Sequence, residues 1–100
     1  MRNLPKPPKI VDLHAEAFLK NIEDYSQDEL IGESIIYMRE MLDAAIYWNY
    51  TEIKFIHGKG KGILKQEVFE ELAYYKHSGA ISSYYPSYQN EDIVVVQIGL

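Results

Sequence analysis

One hundred residues, 47% of them hydrophobic, are enough for one small domain with a single core and room for one site. Cysteine is absent, which excludes disulfides and thiolate metal sites, and no apolar run nears the roughly 20 residues of a membrane helix. A formal net charge of −5 excludes indiscriminate coating of nucleic acid, because such binding needs many Lys and Arg to neutralise many phosphates.

Nothing near the N-terminus reads as a signal peptide, so the expectation is a soluble domain of the cytoplasm with no membrane partner. Residues 1–9, MRNLPKPPK, carry three prolines and read as an extended linker, joining a domain at 10–100 to something upstream in a longer chain. IVDLH, residues 10–14, is a short strand with Ile10, Asp12 and His14 on one face and Val11 and Leu13 on the other. Residues 15–27 leave the choice open between a helical turn or two around Phe18, Leu19 and Ile22 and irregular chain.

From Asp28 to Trp48 the apolar side chains recur at three-and-four spacing: Leu30, Ile31, Ile35, Met38, Met41, Leu42, Ala45 and Ile46, with Ser34 in the same stripe. That spacing predicts one long helix with a single buried face, started by Ser26 or Asp28 as cap. TEIKFIH, residues 51–57, is a second strand. A further helix is expected from Gly62 to Lys76, with Ile63, Leu64, Val68, Leu72 and Tyr75 inward and Gly79 turning the chain at its end. AISSYY and DIVVVQI close the chain as two strands around a turn from Pro86 to Asp92. The order is βαβαββ. If the first two strands are parallel neighbours, a right-handed crossover brings Asp12, His14 and His57 to one edge of the sheet.

Charge is unevenly spread. Residues 14–48 hold eight acids against Lys20 and Arg39, whereas residues 54–65 hold Lys54, Lys59, Lys61 and Lys65 and no acid. The positive island coincides with FIHGKGKGILKQ, residues 55–66, where a strand-end histidine precedes three glycines alternating with two lysines. A helix N-terminus offers four unpaired N–H groups and about half a positive charge, and glycine lets a ligand approach the main chain closely. Gly58, Gly60 and Gly62 would then cradle a phosphate, with Lys59, Lys61 and Lys65 supplying charge. Glycine-rich turns before helices also arise for steric reasons alone.

VDLH followed by a helix, and then IHGKGKG opening a second helix, resembles the small MutS-related (Smr) domain, whose signatures are an L-D-x-H-G strand end and an H-G-x-G turn. The likeness runs from Val11 to the last strand. His57, Gly58 and Gly60 match the second signature, with Gly62 as a further glycine; Asp12 and His14 match the first, where Val11 replaces leucine and Ala15 replaces glycine. The stretch before the last strand, SYQNEDIVVV, lacks the G-x-G turn common in the family. The resemblance implies an α/β two-layer sandwich like the C-terminal domain of translation initiation factor three, with two main helices on one face of a mixed four-stranded sheet. It also implies nicking, cleaving or binding of DNA or RNA.

Two readings follow. In one the domain is an endonuclease: Asp12, His14 and His57 move protons or position water, with a divalent cation such as Mg or Mn as a conceivable helper of Asp12. In the other it is a non-catalytic module for nucleic acid or a protein partner, and His57 merely fixes the loop by a hydrogen bond. Tyr84, Tyr85 and Tyr88 near the last turn could stack on bases, although half-buried strands favour tyrosine anyway.

Overall fold

In the computed structural model, which describes residues 4–58 and 62–99, Ser26 opens the long helix α1, Gln27–Tyr47. Its hydroxyl accepts from the Glu29 backbone N–H at 3.2 Å and the Glu29 carboxylate accepts from the Ser26 N–H at 2.7 Å, a reciprocal capping box. The other elements are strands β1 (Ile10–Asp12), β2 (Glu52–Ile56), β3 (Ser83–Pro86) and β4 (Ile93–Gln97), and helix α2 (Ile63–His77). Residues 15–27, open in the sequence, form two single 3₁₀ turns, Ala15–Ala17 and Ile22–Asp24, with Asn21 at φ 55° between them.

The sheet order is β1-β2-β4-β3. β1 pairs parallel with β2, and β4 runs antiparallel to both β2 and β3. The expected mixed four-stranded sheet with two helices is therefore present. Alternation decides which face is covered: Val11, Phe55 and Val94 share one register row and Ile53 and Val96 another, all within 1% of full burial. They meet Ile35, Met38 and Leu42 of α1 and Val68 and Leu72 of α2 in one apolar cluster. Each such side chain contributes about 1.5–3 kcal/mol by leaving water.

Several boundaries differ from expectation for local reasons. β1 stops at Asp12 because the Asp12 carboxylate takes the His14 backbone N–H, at 2.9 Å, out of the ladder. β3 starts at Ser83 rather than Ala80 because the N–H groups of Ala80 and Ile81 are held by the Tyr75 carbonyl at the end of α2. Ile63, expected inward, begins α2 and is 58% exposed, while Phe69 packs against the core.

The helices are clasped by Arg39 Nε donating to Glu71 at 2.5 Å and by Tyr75 Oη donating to Asp43 at 2.8 Å. Burial, and then the hydrogen bond to Asp43, push the Tyr75 hydroxyl above its ordinary range, so it stays a donor. Residues 4–9 lie against the end of α1: Trp48 Nε1 donates to the Leu4 carbonyl at 2.9 Å, Tyr50 Oη donates to the Pro7 carbonyl, and Pro7 is buried. Among the described residues no helix is long and apolar enough to cross a membrane.

Candidate functional site

The parallel register Asp12↔Ile56, extended by the Leu13 N–H donating to the Ile56 carbonyl at 2.9 Å, releases both strands at one edge of the sheet. His14 and His57 leave the sheet there side by side. Antiparallel β4 starts at the same edge, with Ile93 opposite Ile56, so the turn before it, residues 87–92, borders the same corner.

Asp12 and His14 form a local unit. Asp12 Oδ1 accepts from the His14 backbone at 2.9 Å and faces the ring Nδ1 at 2.6 Å. A carboxylate oxygen only accepts here, so Nδ1 carries the proton and Nε2 is left with its lone pair free of Asp12. The ring is 44% exposed. It closes over Gly58: a Cβ at residue 58 would stand 2.6 Å from His14 Nε2. Gly58 also has φ +89°, a conformation that side chains rarely adopt. Position 58 thus needs glycine twice, for its backbone and for the imidazole above it.

His57 is placed differently. Its ring is only 5% exposed and meets Phe69 edge to face, with centroids 6.0 Å apart, and Phe69 meets Tyr84 in the same way. Nδ1 lies 3.0 Å from the Gly58 carbonyl and must donate to it, while Nε2 is buried with no partner among the described residues. Burial lowers the pKa of this imidazole; the Gly58 carbonyl opposes the shift, and Lys65 and His14 add to it. His57 is a neutral wall of the corner, tied to its loop by the hydrogen bond weighed above.

The start of α2 completes the corner. Gly62 is its cap residue, with no side chain to offer, and the first turn contains no acid. The contrast with α1 is direct, since α1 satisfies its first N–H groups with Ser26 and carries Asp28 and Glu29. Lys65 lies in the first turn of α2, close enough to His57 to affect its proton. A hollow of about 320 Å³ lies between the two halves, lined by His14, Glu16, Gln27, Ile31, Gly62 and Ile63. Lys59, Gly60 and Lys61, the middle of the expected cradle, lie outside the described residues.

Three contributors were missed in the sequence. Ser34 Oγ donates to the Leu13 carbonyl at 2.7 Å inside the core and fixes the strand end just before His14. Its signal was visible as a hydroxyl in an apolar stripe. The Asp92 carbonyl accepts from the N–H groups of His57 and Gly58, at 2.9 and 3.3 Å, and acts through its backbone, which leaves no trace in residue type. Glu16 lines the hollow from the first 3₁₀ turn, in a segment whose conformation was open. For a cation, Asp12 is engaged with His14, and among the described residues no group of three or more His, Asp or Glu could hold a metal ion.

The Smr domain family model matches residues 32–99, which include His57, Gly58 and Gly62; Asp12 and His14 precede the matched span. Among solved structures, the crystal structure of the Smr domain of Thermus thermophilus MutS2 is similar, with a TM-score of 0.68 and 21% identity over 93% of this chain and 100% of that one. At that identity the likeness speaks for the fold. No curated protein matches the chain.

Proposed function

The chain belongs to the Smr domain family, and from that premise we propose that it binds the phosphodiester backbone of DNA or RNA at the corner between His14 and the start of α2. The observation that carries this reading is the pairing of an uncapped, acid-free helix N-terminus with an exposed imidazole whose Nε2 faces the same glycine turn. Backbone N–H groups of Ile63 to Lys65 and the positive end of the helix favour an anion there. Lys59, Lys61 and Lys65 add charge, and Gly58, Gly60 and Gly62 keep side chains out of the way. Tyr88, 100% exposed in the turn on the same edge, is available to stack on an unpaired base.

The Asp12–His14 pair favours a second reading, endonucleolytic cleavage. An imidazole oriented by a carboxylate through Nδ1 presents Nε2 for proton transfer. In this reading His14 handles the proton and Asp12 orients it; a divalent ion, Mg or Mn, brought with the phosphate would have Asp12 as its protein ligand and would supply charge to the phosphate. His57 holds the loop rather than the proton. A non-catalytic module would keep the same corner and bind only.

Fluorescence anisotropy with labelled single- and double-stranded DNA and RNA, with and without Mg²⁺ or Mn²⁺, tests the proposal. Three lysines on phosphates predict a log K against log salt slope of about −3 on duplex DNA. Removing Lys59 and Lys61 should flatten it by about 2. Product formed by wild type and lost in His14→Ala supports cleavage. Binding without product leaves the module. No binding to any of the four at low salt refutes the proposal.

A further inference from the structure

The outer surface of the helix pair carries an apolar groove that the described residues leave open, bordered at one end by Leu4. A hollow of about 450 Å³ between the first half of α1 and the start of α2 is floored by Ile31, Ile35, Ile36 and Ile63. A second hollow, about 390 Å³, shares Ile36 and Arg39 with the first and continues to Glu40 and Asp43. Ile36 and Ile63 are 47% and 58% exposed, so two branched apolar side chains face water side by side. From Asp28 to Asp43 the groove follows about four turns of helix, roughly 22 Å.

Two independent features say what fits. Asp28, Glu40, Asp43 and Glu67 line the hollows, and the cation among them, Arg39, has its guanidinium on Glu71. The rim is therefore acidic. Gly32, in the same lining, sits inside a 21-residue helix, where glycine is a poor choice. A Cβ built there meets nothing within 4 Å, so no packing among the described residues accounts for it. A glycine on a helix surface lets a second backbone come close.

We infer that this groove docks a basic amphipathic helix of a partner protein. Its apolar side chains lie on Ile36 and Ile63, its backbone crosses at Gly32, and its Lys or Arg side chains lie over the carboxylates. Nucleic acid would set phosphates against the acidic rim, and a second copy of this chain would set one acidic rim against another. The groove adjoins the hollow of the phosphate corner, with which it shares Ile31 and Ile63, and extends away from it over Gly32, Ile36 and Glu67; this inference does not rest on that reading.

The test titrates designed helical peptides of about four turns into the isotope-labelled chain and follows amide shifts. Three carry Leu, Met or Phe at helical spacing with Lys on the flanks, and each has a Glu-flanked twin. At least one Lys peptide should saturably shift the amides of Ile31, Gly32, Ile36, Ile63 and Glu67, with its Glu twin weaker by about tenfold or more. Gly32→Trp fills open space without entering the core; it should keep the circular dichroism of wild type and weaken the Lys peptide by about tenfold. The inference is overturned if no Lys peptide shifts these amides, or if Gly32→Trp binds as wild type does. It is equally overturned if duplex DNA, or raising the concentration of the chain itself, shifts Gly32, Ile36 and Glu67, the groove amides that lie outside the phosphate corner.

Discussion

Replacing Gly58 by alanine should destabilise the domain through two separable effects. The first is backbone conformation: φ +89° costs an L-residue about 1–2 kcal/mol. The second is contact, because the new Cβ would lie 2.6 Å from His14 Nε2 and 3.3 Å from Cε1. The ring has to retreat by roughly 1 Å to reach an ordinary carbon contact distance. Being 44% exposed, it can swing into solvent, but then it loses Asp12, a hydrogen bond worth about 0.5–1.5 kcal/mol. Together these give about 1.5–3.5 kcal/mol, or a fall in Tm of roughly 6–28 °C for a domain of this size. Thermal and urea unfolding of wild type, Gly58→Ala, His14→Ala and the double variant separate the parts. In the His14→Ala background the contact effect disappears and only the backbone effect remains, a coupling of about 0.5–1.5 kcal/mol. Equal losses in both backgrounds would show that the imidazole does not lie over residue 58, and an unharmed Gly58→Ala would refute the left-handed turn itself.

The lowered pKa of His57 has a definite sign in stability. Above about pH 6.5 folded and unfolded chains both hold this imidazole neutral, whereas below it only the unfolded chain takes up the proton, so stability falls toward the folded pKa by at most about 1.4 kcal/mol per pH unit. Urea midpoints between roughly pH 5.5 and 7 should show that slope in wild type and lose it in His57→Asn; identical slopes would refute it. Ser34→Ala should cost about 1–3 kcal/mol, since it strips a buried carbonyl of its donor, and should speed amide exchange at His14. Gly32→Ala should raise stability by about 0.5–1 kcal/mol in a melting experiment, because its methyl group meets no neighbour among the described residues; a lower Tm would refute this.

What could be read in advance was what is decided locally. Ser26 and Glu29 are three residues apart and meet on the first turn they create, so the start of α1 was visible in their spacing. The alternation of Val11 with Asp12 likewise assigned sides of the sheet. His57 was ambiguous because its burial is settled by Phe69 on another element and by the Asp92 carbonyl, both brought in by the fold. The same distance hid the closure of His14 over Gly58. Ile63 misled because periodicity assigns an inward face without marking where a helix has yet to reach the sheet.

The two halves of the corner rest on unequal supports. His57 and Gly58 leave a five-residue strand paired on both sides, whereas Asp12 and His14 leave a three-residue strand at the margin, paired on one side only. Fraying of that margin would carry off the Asp12 carboxylate and the His14 imidazole together while the central strands stay closed. An anion bridging His14 to the entrance of α2 would oppose the fraying, so occupancy and local order at this end of the molecule rise and fall as one quantity.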